Sequence, residues 1–244
     1  LAKLQNFQRA DGGFNYWPGS NDPDDWSTNY AGHFLLEAQN NGYYVSENML
    51  ASWKNFQKGK ANSWVPTTTN FYGGDLTQAY RLYTLALAKA PELGAMNRLK
   101  EFKYISPEAK WRLAAAYQLA GQNNIALDLS SGLPLSFETR LKPGSSFGSS
   151  LRDQAMVLET LTLMGNQKKA AEVLQSVAGQ LSQDNWYSTQ TTAYSLIAIA
   201  KYCGKNKSDK KIIANVNING AQATLNSGNY LLQFPIAFKT ATAP

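Results

Sequence analysis

The sequence predicts a mainly α-helical protein in which antiparallel helical hairpins stack side by side, with a short β segment at the C-terminal end. Three observations predict this fold. Apolar residues recur at helical spacing in five stretches, more polar amphipathic stretches alternate with them, and the last part of the chain changes to alternating residues around an Asn-Gly pair. Stacked hairpins form either an open solenoid or a closed ring.

The five apolar stretches have recognisable helix starts and stops. The best-defined start is Ser106, because this N-cap serine is followed by Pro107 and Glu108, both favoured in the first turn. Gly121 and Gly165 follow two of the stretches, and glycine is the usual residue just past a helix C-terminus. The predicted apolar helices span approximately residues 26–41, 75–90, 106–120, 150–164 and 188–203.

Shorter, more polar helices are predicted between the apolar ones, at residues 1–9, 46–57, 92–104, 123–130 and 167–181. Because only one face of each is apolar, we expect these helices to form an outer layer with the other face in water. The apolar helices then form an inner layer, and we expect their apolar side chains to meet at a shared centre.

The C-terminal part of the chain has a different pattern. Residues 212–225 alternate around Asn219-Gly220, a pair typical of a tight β-hairpin turn, and residues 229–238 are a candidate further strand. We therefore predict two domains, a helical domain at residues 1–207 and the start of a following β-domain at residues 208–244.

Composition excludes some classes of protein. The net charge of +6 comes without a long basic run, so nucleic acid is not a predicted partner. Cys203 is the only cysteine, so no intrachain disulfide can form. No apolar run reaches transmembrane length, which argues against direct membrane insertion of this segment. The first residues read like the middle of a helix without a signal-like stretch, so we expect a fragment of a longer protein.

The most informative motif combines an aromatic turn, a hydroxyl-rich helix start and an apolar helix. Residues 186–193 read Trp-Tyr-Ser-Thr-Gln-Thr-Thr-Ala, and residues 26–31 repeat the pattern as Trp-Ser-Thr-Asn-Tyr-Ala. Both stretches resemble helix starts in the thioester-containing helical domain of the α2-macroglobulin and complement family, especially the bacterial α2-macroglobulins. The resemblance covers about residues 1–205, and the tail resembles the β-domain that follows in that family.

The resemblance implies an α/α toroid of six helical hairpins, of which about five are present here and the missing one would be N-terminal. It implies that the chain is part of an endopeptidase inhibitor, a protease trap whose bait segment is cleaved before it encloses or tethers the protease. This chain would then be a scaffold and interaction domain without catalytic, cofactor-binding or metal-binding residues. The implied partners are proteases and other domains of the full-length protein, and the implied location is the periplasm or cell envelope.

The sequence departs from the covalent members of the family in two ways. Their Cys-x-Glu-Gln motif, which forms an internal thioester, is absent, and Cys203 lacks its partner glutamine. Their histidine that directs the thioester to hydroxyl groups would fall near residues 63–70, where none occurs. The sole histidine, His33, lies within a predicted helix, and we interpret it as a hydrogen-bonded structural residue.

The main alternative is an enzyme of the terpene-cyclase type. Asp22, Asp24 and Asp25 match an Asp-x-Asp-Asp string, and residues 8–14 resemble a turn of those α/α-barrel enzymes. Their chemistry needs a carboxylic acid kept protonated by apolar surroundings. Gly19, Pro23 and the following helix start instead favour a solvated turn whose acids face the helix dipole.

Three further interpretations come from local composition. One His and one Cys cannot make a tetrahedral zinc site without several carboxylates, so a zinc centre is not predicted. Residues 142–150 are rich in Gly and Ser but lack the ending of a phosphate loop, and therefore indicate a turn. The remaining functional alternative is a helical-repeat module that binds peptides or glycans in a groove lined with Trp and Tyr, to which residues 67–69 could contribute.

Overall fold

The computed structural model describes residues 2–20, 22–66, 74–137, 148–205, 212–218 and 221–227. Over these residues the chain forms ten helices and one two-stranded sheet. The helices are α1 Ala2–Gln5, α2 Asp25–Asn40, α3 Glu47–Ser63, α4 Gly74–Leu87, α5 Leu93–Lys100, α6 Pro107–Leu119, α7 Asn123–Ser130, α8 Ser150–Leu163, α9 Gln167–Leu181 and α10 Thr189–Lys205, and the strands are β1 Ile212–Ile218 and β2 Ala221–Ser227.

The even-numbered helices form an inner ring. Along the ring α2 packs on α4, α4 on α6, α6 on α8, and α8 on α10. Asp75 at the start of α4 accepts a hydrogen bond from the Ser106 backbone N–H just before α6. The N-terminal ends of these neighbouring inner helices therefore lie side by side, and the two helices run in the same direction. The last helix returns to the first, because Tyr194 of α10 lies against Tyr30 of α2 with ring centroids 5.7 Å apart. The side of the ring between α2 and α10 is called the seam below.

The odd-numbered helices form the outer layer, as the alternating pattern predicts. In α4 every residue from Asp75 to Ala86 is buried, and in α8 every residue from Leu151 to Thr162. In the outer helix α9, by contrast, burial is confined to Ala170, Val173 and Val177, which lie three and four residues apart on one face. The predicted division into buried inner and half-buried outer helices is therefore confirmed.

Local signals in the sequence position the helix ends. The Ser106 side chain accepts a hydrogen bond from the Ala109 backbone N–H, and Ser149 does the same for Arg152 at the start of α8. Gly121 and Gly165 have φ values of 76° and 73°, which places them in the left-handed region expected just past a helix end.

Three outer helices differ in length from the prediction, and one of them is α5, which ends at Lys100 instead of residue 104. α1 ends at Gln5 because the following backbone turns back on itself, and Asn15 N–H donates to the Phe7 carbonyl at 2.9 Å. α3 continues past its predicted end at residue 57 to Ser63. Gly59 lies in open space, where a helix tolerates it, and Ala61 beyond it is fully buried, so packing outweighs the low helix propensity of glycine.

The predicted β-hairpin is confirmed in its strands. β1 and β2 pair antiparallel from Ile212 opposite Ser227 to Ile218 opposite Ala221. The Asn219-Gly220 turn and the candidate strand at 229–238 lie outside the described residues. The boundary between residues 207 and 208 stays a prediction. No helix among the described residues combines the length and apolar character needed to cross a membrane.

The first hairpin depends on close contact between α2 and α3. Trp53 of α3 is fully buried, and its indole N–H donates to the Thr28 carbonyl of α2 at 2.9 Å. Gly32 gives the indole its space, since a Cβ on this residue would overlap the ring of Trp53. The hairpin therefore requires the smallest residue at position 32.

We expect Gly32→Ala to lower the free energy of unfolding by about 1–3 kcal/mol, because the added methyl overpacks the contact with Trp53. The matched control is Gly59→Ala, where a Cβ meets nothing within 4 Å and where alanine should stabilise the helix by up to about 1 kcal/mol. Urea denaturation of both variants measures the difference. Equal effects of the two substitutions would contradict the close approach of α2 and α3.

Candidate functional site

Charged and aromatic residues from all five inner helices meet at the middle of the ring. This central cluster consists of His33 and Glu37 from α2, Tyr80 and Tyr83 from α4, Arg112 from α6, Glu159 from α8, and Tyr194 and Lys201 from α10. The most apolar helices thus meet at the centre as expected, and they bring charged side chains with them. Helices surrounded on every side by other helices cannot turn all of their polar residues to water, so these side chains bind one another instead.

Glu159 is the hub of the central cluster. Its Oε1 accepts hydrogen bonds from Tyr83 Oη at 2.8 Å and from Lys201 Nζ at 2.6 Å. Its Oε2 accepts from Arg112 Nη1 at 2.6 Å. The Arg112 guanidinium also lies 4.2 Å from the centroid of the Tyr83 ring. One buried carboxylate thus holds side chains from three other inner helices.

The charges of the cluster stabilise one another. Burial acts to raise the pKa of Glu159, but the cations of Lys201 and Arg112 outweigh it and hold the pKa well below its usual range. Burial acts to lower the pKa of Lys201, but the attractions of Glu159, Tyr83 and Glu37 together outweigh it, so this pKa is raised. Glu159 therefore carries a negative charge at neutral pH, and Lys201 carries a positive one.

His33 lies at the α2 side of the cluster and is 2% exposed. Its Nδ1 is 3.0 Å from Tyr80 Oη, in agreement with the predicted structural, hydrogen-bonded role. Its Nε2 lies 3.4 Å from Glu37 Oε1. Burial lowers the pKa of His33 despite the opposing effect of the Glu37 carboxylate, so the ring is neutral at pH 7.

The geometry of the cluster bears on metal binding. His33, Glu37 and Glu159 each offer a ligand atom, and these atoms lie within 4.8 Å of one another. The Lys201 ammonium, however, lies between the two carboxylates, 2.5 Å from Glu37 Oε1 and 2.6 Å from Glu159 Oε1. The position a metal ion would need is filled by the protein's own cation, so the donor set fits an ion-pair network and not a metal centre.

The acidic string has structural partners at the surface. Asp24 is the N-cap of α2, with its Oδ1 2.6 Å from the Ser27 backbone nitrogen. Asp25 is 48% exposed and pairs at 2.9 Å with the buried guanidinium of Arg81. Asp22 is exposed. Helix α2 begins at Asp25, earlier than the predicted Trp26, which makes Asp24 the cap itself. The apolar chamber that a terpene-cyclase acid requires does not surround these side chains.

The two related motifs lie beside each other at the start of α2 and α10. Trp26 is stacked against the Arg152 guanidinium, 4.4 Å from ring to cation, and Arg152 donates a hydrogen bond of 2.9 Å to Gln190. Thr191 lies 2.7 Å, oxygen to oxygen, from the Ser149 hydroxyl before α8. Trp26 of the first motif and Gln190 and Thr191 of the second therefore pack the helix starts around α8. Trp186, the tryptophan of the second motif, is exposed instead.

A cleft of about 660 Å³ opens at the same end of the seam. It is called the entrance cleft and is lined mainly by apolar and aromatic side chains of the first helices, with hydroxyl and amide groups from α10 at its rim. Its lining comprises Lys3, Leu4, Phe7, Phe14, Asn15, Tyr16, Trp26, Ser27, Tyr30, Ala31, Phe34, Ser188, Thr189 and Gln190. A concave, largely apolar surface of this size is suited to covering by another apolar group.

Cys203 is a free, half-buried thiol on α10. Residues 67–69 and 142–147 lie outside the described residues, and Ser149 from the end of the second stretch caps α8. Sequence analysis missed Arg112, Glu159 and Lys201. A usable signal was present, because each is a charged residue within one of the most apolar helical stretches.

We expect His33 to make the chain less stable in mild acid. Because its pKa is lowered in the folded state, the unfolded chain binds a proton at higher pH, so stability is complete above about pH 6.5 and falls as pH decreases towards the folded pKa. Denaturation between about pH 7 and about pH 5.5 should show a smaller loss for His33→Gln than for the wild type. Parallel pH profiles would contradict this role.

A second expectation separates the capping role of the acidic string from a chemical one. Asp24→Ala should cost about 1 kcal/mol of stability because the first turn of α2 loses its cap. The control Asp22→Ala, at an exposed position, should change stability by less than about 0.5 kcal/mol. Thermal denaturation of the two variants measures this difference in stability. Equal losses of stability would refute the assignment of Asp24 as the cap.

Comparisons with known proteins show relatives of one kind. The chain is 27% identical over 207 residues to an alpha-2-macroglobulin of Xylella fastidiosa and 26% identical over 206 residues to that of Escherichia coli. Each alignment covers 78% of this chain and 12% of the relative, so the chain matches only a small part of these longer proteins. No model of a protein family matches the chain.

Solved structures share the fold. Native E. coli alpha-2-macroglobulin, in a crystal structure spanning domain MG7 to the C-terminus, superposes with a TM-score of 0.74 at 21% identity, over 93% of this chain and 36% of that one. The E. coli protein activated by porcine elastase superposes with a TM-score of 0.67 at 22% identity, over 93% of this chain and 21% of that one. The chain is therefore similar to bacterial alpha-2-macroglobulins in sequence over 78% of its length, and it shares the fold of the corresponding part of their solved structures.

Proposed function

We propose that the chain is the helical scaffold and interaction domain of a bacterial protease trap and carries out no catalysis itself. The observation that carries this proposal is the combined sequence and fold similarity to alpha-2-macroglobulins, one of which is described as activated by porcine elastase. The site supports it as well. The charged groups of the central cluster are bound to one another, which suits a rigid support better than a reacting centre.

The proposed partners are proteases and the other domains of the full-length protein, and the proposed location is the periplasm or cell envelope, where a trap meets foreign proteases. The β-hairpin of β1 and β2 supports the proposed domain order, with a β-domain following the helical one. Two strands alone are marginally stable, so they need further strands to pack against.

We further propose that the seam is covered by a sixth helical hairpin of the same protein. Phe34 on α2 is 50% exposed and Leu196 on α10 is 57% exposed, although both belong to inner helices. Ala193, Ile197 and Ala200 continue the partly exposed apolar face of α10 at helical spacing. Together with the entrance cleft, these faces would be buried by one additional amphipathic hairpin.

The experiment is to incubate the natural protein that contains this chain with an endoprotease and to follow both partners. We expect cleavage of the trap, a cleavage-dependent change in its electrophoretic mobility, and loss of protease activity towards large protein substrates. Activity towards a small peptide substrate should persist and serves as the control, because enclosure or tethering blocks large substrates first. An unchanged protein that leaves the protease fully active towards large substrates would refute trapping.

One observation favours a second candidate function, a helical-repeat module for peptides or glycans. The entrance cleft is lined with Tyr16, Trp26 and Tyr30, and aromatic rings are common in such grooves. Substitution of the half-exposed Phe34 by Ala distinguishes the candidates. A binding module would lose ligand affinity measured by calorimetry, whereas a scaffold would lose attachment of the neighbouring hairpin and show no ligand to displace.

A further inference from the structure

The ring is closed differently at the seam than at its other joints. The backbones of α2 and α10 approach each other at fewer points than those of the other neighbouring inner helices. The other joints use small buried residues, such as Ala79 in α4 and Ala114, Ala115 and Ala116 in α6, which allow close packing. Long side chains bridge the seam instead, so it is the weakest joint of the inner ring.

Aromatic ring contacts and ion pairs cross the seam, and they lie at different positions along the axes of α2 and α10. Near the entrance cleft the rings of Tyr30 and Tyr194 are 5.7 Å apart. One to two turns further along the helices, the Lys201 ammonium of α10 donates to Glu37 of α2 at 2.5 Å while also donating to Glu159 of α8 at 2.6 Å. The seam is therefore held by aromatic contacts of Tyr194 near its N-terminal end and by ion pairs of Lys201 near its C-terminal end.

We propose that Lys201 is a latch that fastens the last inner helix to the first, and that its release lets α2 and α10 separate along the seam while the rest of the ring stays folded. This inference does not depend on the function proposed above. It concerns a joint that opens and closes within the helical domain.

Loss of the Lys201 ammonium should weaken the seam and leave the other joints of the ring intact, because the other charged groups keep their partners. Without Lys201, the buried carboxylate of Glu159 still accepts hydrogen bonds from Tyr83 and Arg112. Glu37, whose side chain is 20% exposed, can be hydrated by water. No buried charge is left without a partner, so the joints among α4, α6 and α8 keep their contacts. The ion-pair link between α10 and α2 is lost, and the ring contacts of Tyr194 with Tyr30 and His33 are what remains of the described contacts across the seam.

The test is amide hydrogen exchange, read helix by helix, on the whole chain carrying Lys201→Met. Methionine keeps the unbranched apolar stem and removes the charge. Exchange in α2 and α10 should become at least about tenfold faster, while α4 and α6 change by less than about twofold. Lys201→Arg keeps a cation that can reach both carboxylates and should restore slow exchange in α2 and α10.

The matched control is Lys169→Met, an exposed lysine of α9, which should leave every helix unchanged. Glu37→Gln provides a second route to the same release and should speed exchange in α2 and α10 without affecting α6. The latch is refuted if Lys201→Met leaves α2 and α10 as protected as before, or if exchange accelerates equally in all helices, since the lysine would then support the whole core.

Discussion

The buried, ionised carboxylate of Glu159 is the group on which the arrangement of the inner helices depends. It binds Tyr83 of α4, Arg112 of α6 and Lys201 of α10, while its own helix lies buried between α6 and α10. A single carboxylate removed from water is costly, and only several well-placed donors offset that cost. The geometry of the ring is therefore tied to the geometry of these hydrogen bonds.

A charged centre has different consequences from an apolar one. Hydrophobic contact by itself is not directional, so in an apolar core the register of the helices depends on how closely the side chains fit together. Hydrogen bonds to Glu159 are directional, so a shifted helix would leave a buried charge without a partner. We infer that the cluster selects one register among the inner helices, while the small residues of α4 and α6 supply the close packing that stabilises it.

Sequence reasoning predicted the helices and their layers well, because these depend on local chemistry. The serine cap at Ser106 and the glycine stop at Gly121 act within a few residues of the helix ends they position. The end of α3 was predicted too early, at residue 57 instead of Ser63, since burial of Ala61 is a tertiary effect that no local signal contains.

The central cluster was beyond sequence reasoning for a related reason. Arg112, Glu159 and Lys201 lie far apart in the chain, and only closure of the ring brings them together. A charged residue within an apolar helix indicates that a buried partner exists, but it does not indicate which residue that partner is. The acidic string shows the reverse case, because Asp24 and Asp25 look like a reactive group in the sequence and serve as a helix cap and the partner of Arg81 in the fold.

The proposed role in a protease trap is consistent with a rigid ring of helices. A scaffold domain must keep its shape while neighbouring domains move, and a ring pinned at its centre by directional ion pairs satisfies that need. The exposed apolar faces of α2 and α10 are the side at which we propose that the ring meets further parts of the protein. The ion pairs at the centre and the exposed apolar faces along the seam are thus both consistent with the proposed scaffold role.

The most direct test of a ring closed around an ionised Glu159 is a crystal structure of the chain at neutral pH. We predict that Lys201 of α10 and Arg112 of α6 will lie within hydrogen-bond distance of the Glu159 carboxylate, with α10 returning to α2. An open superhelix, with α2 and α10 at opposite ends and Glu159 in contact with water, would contradict the account.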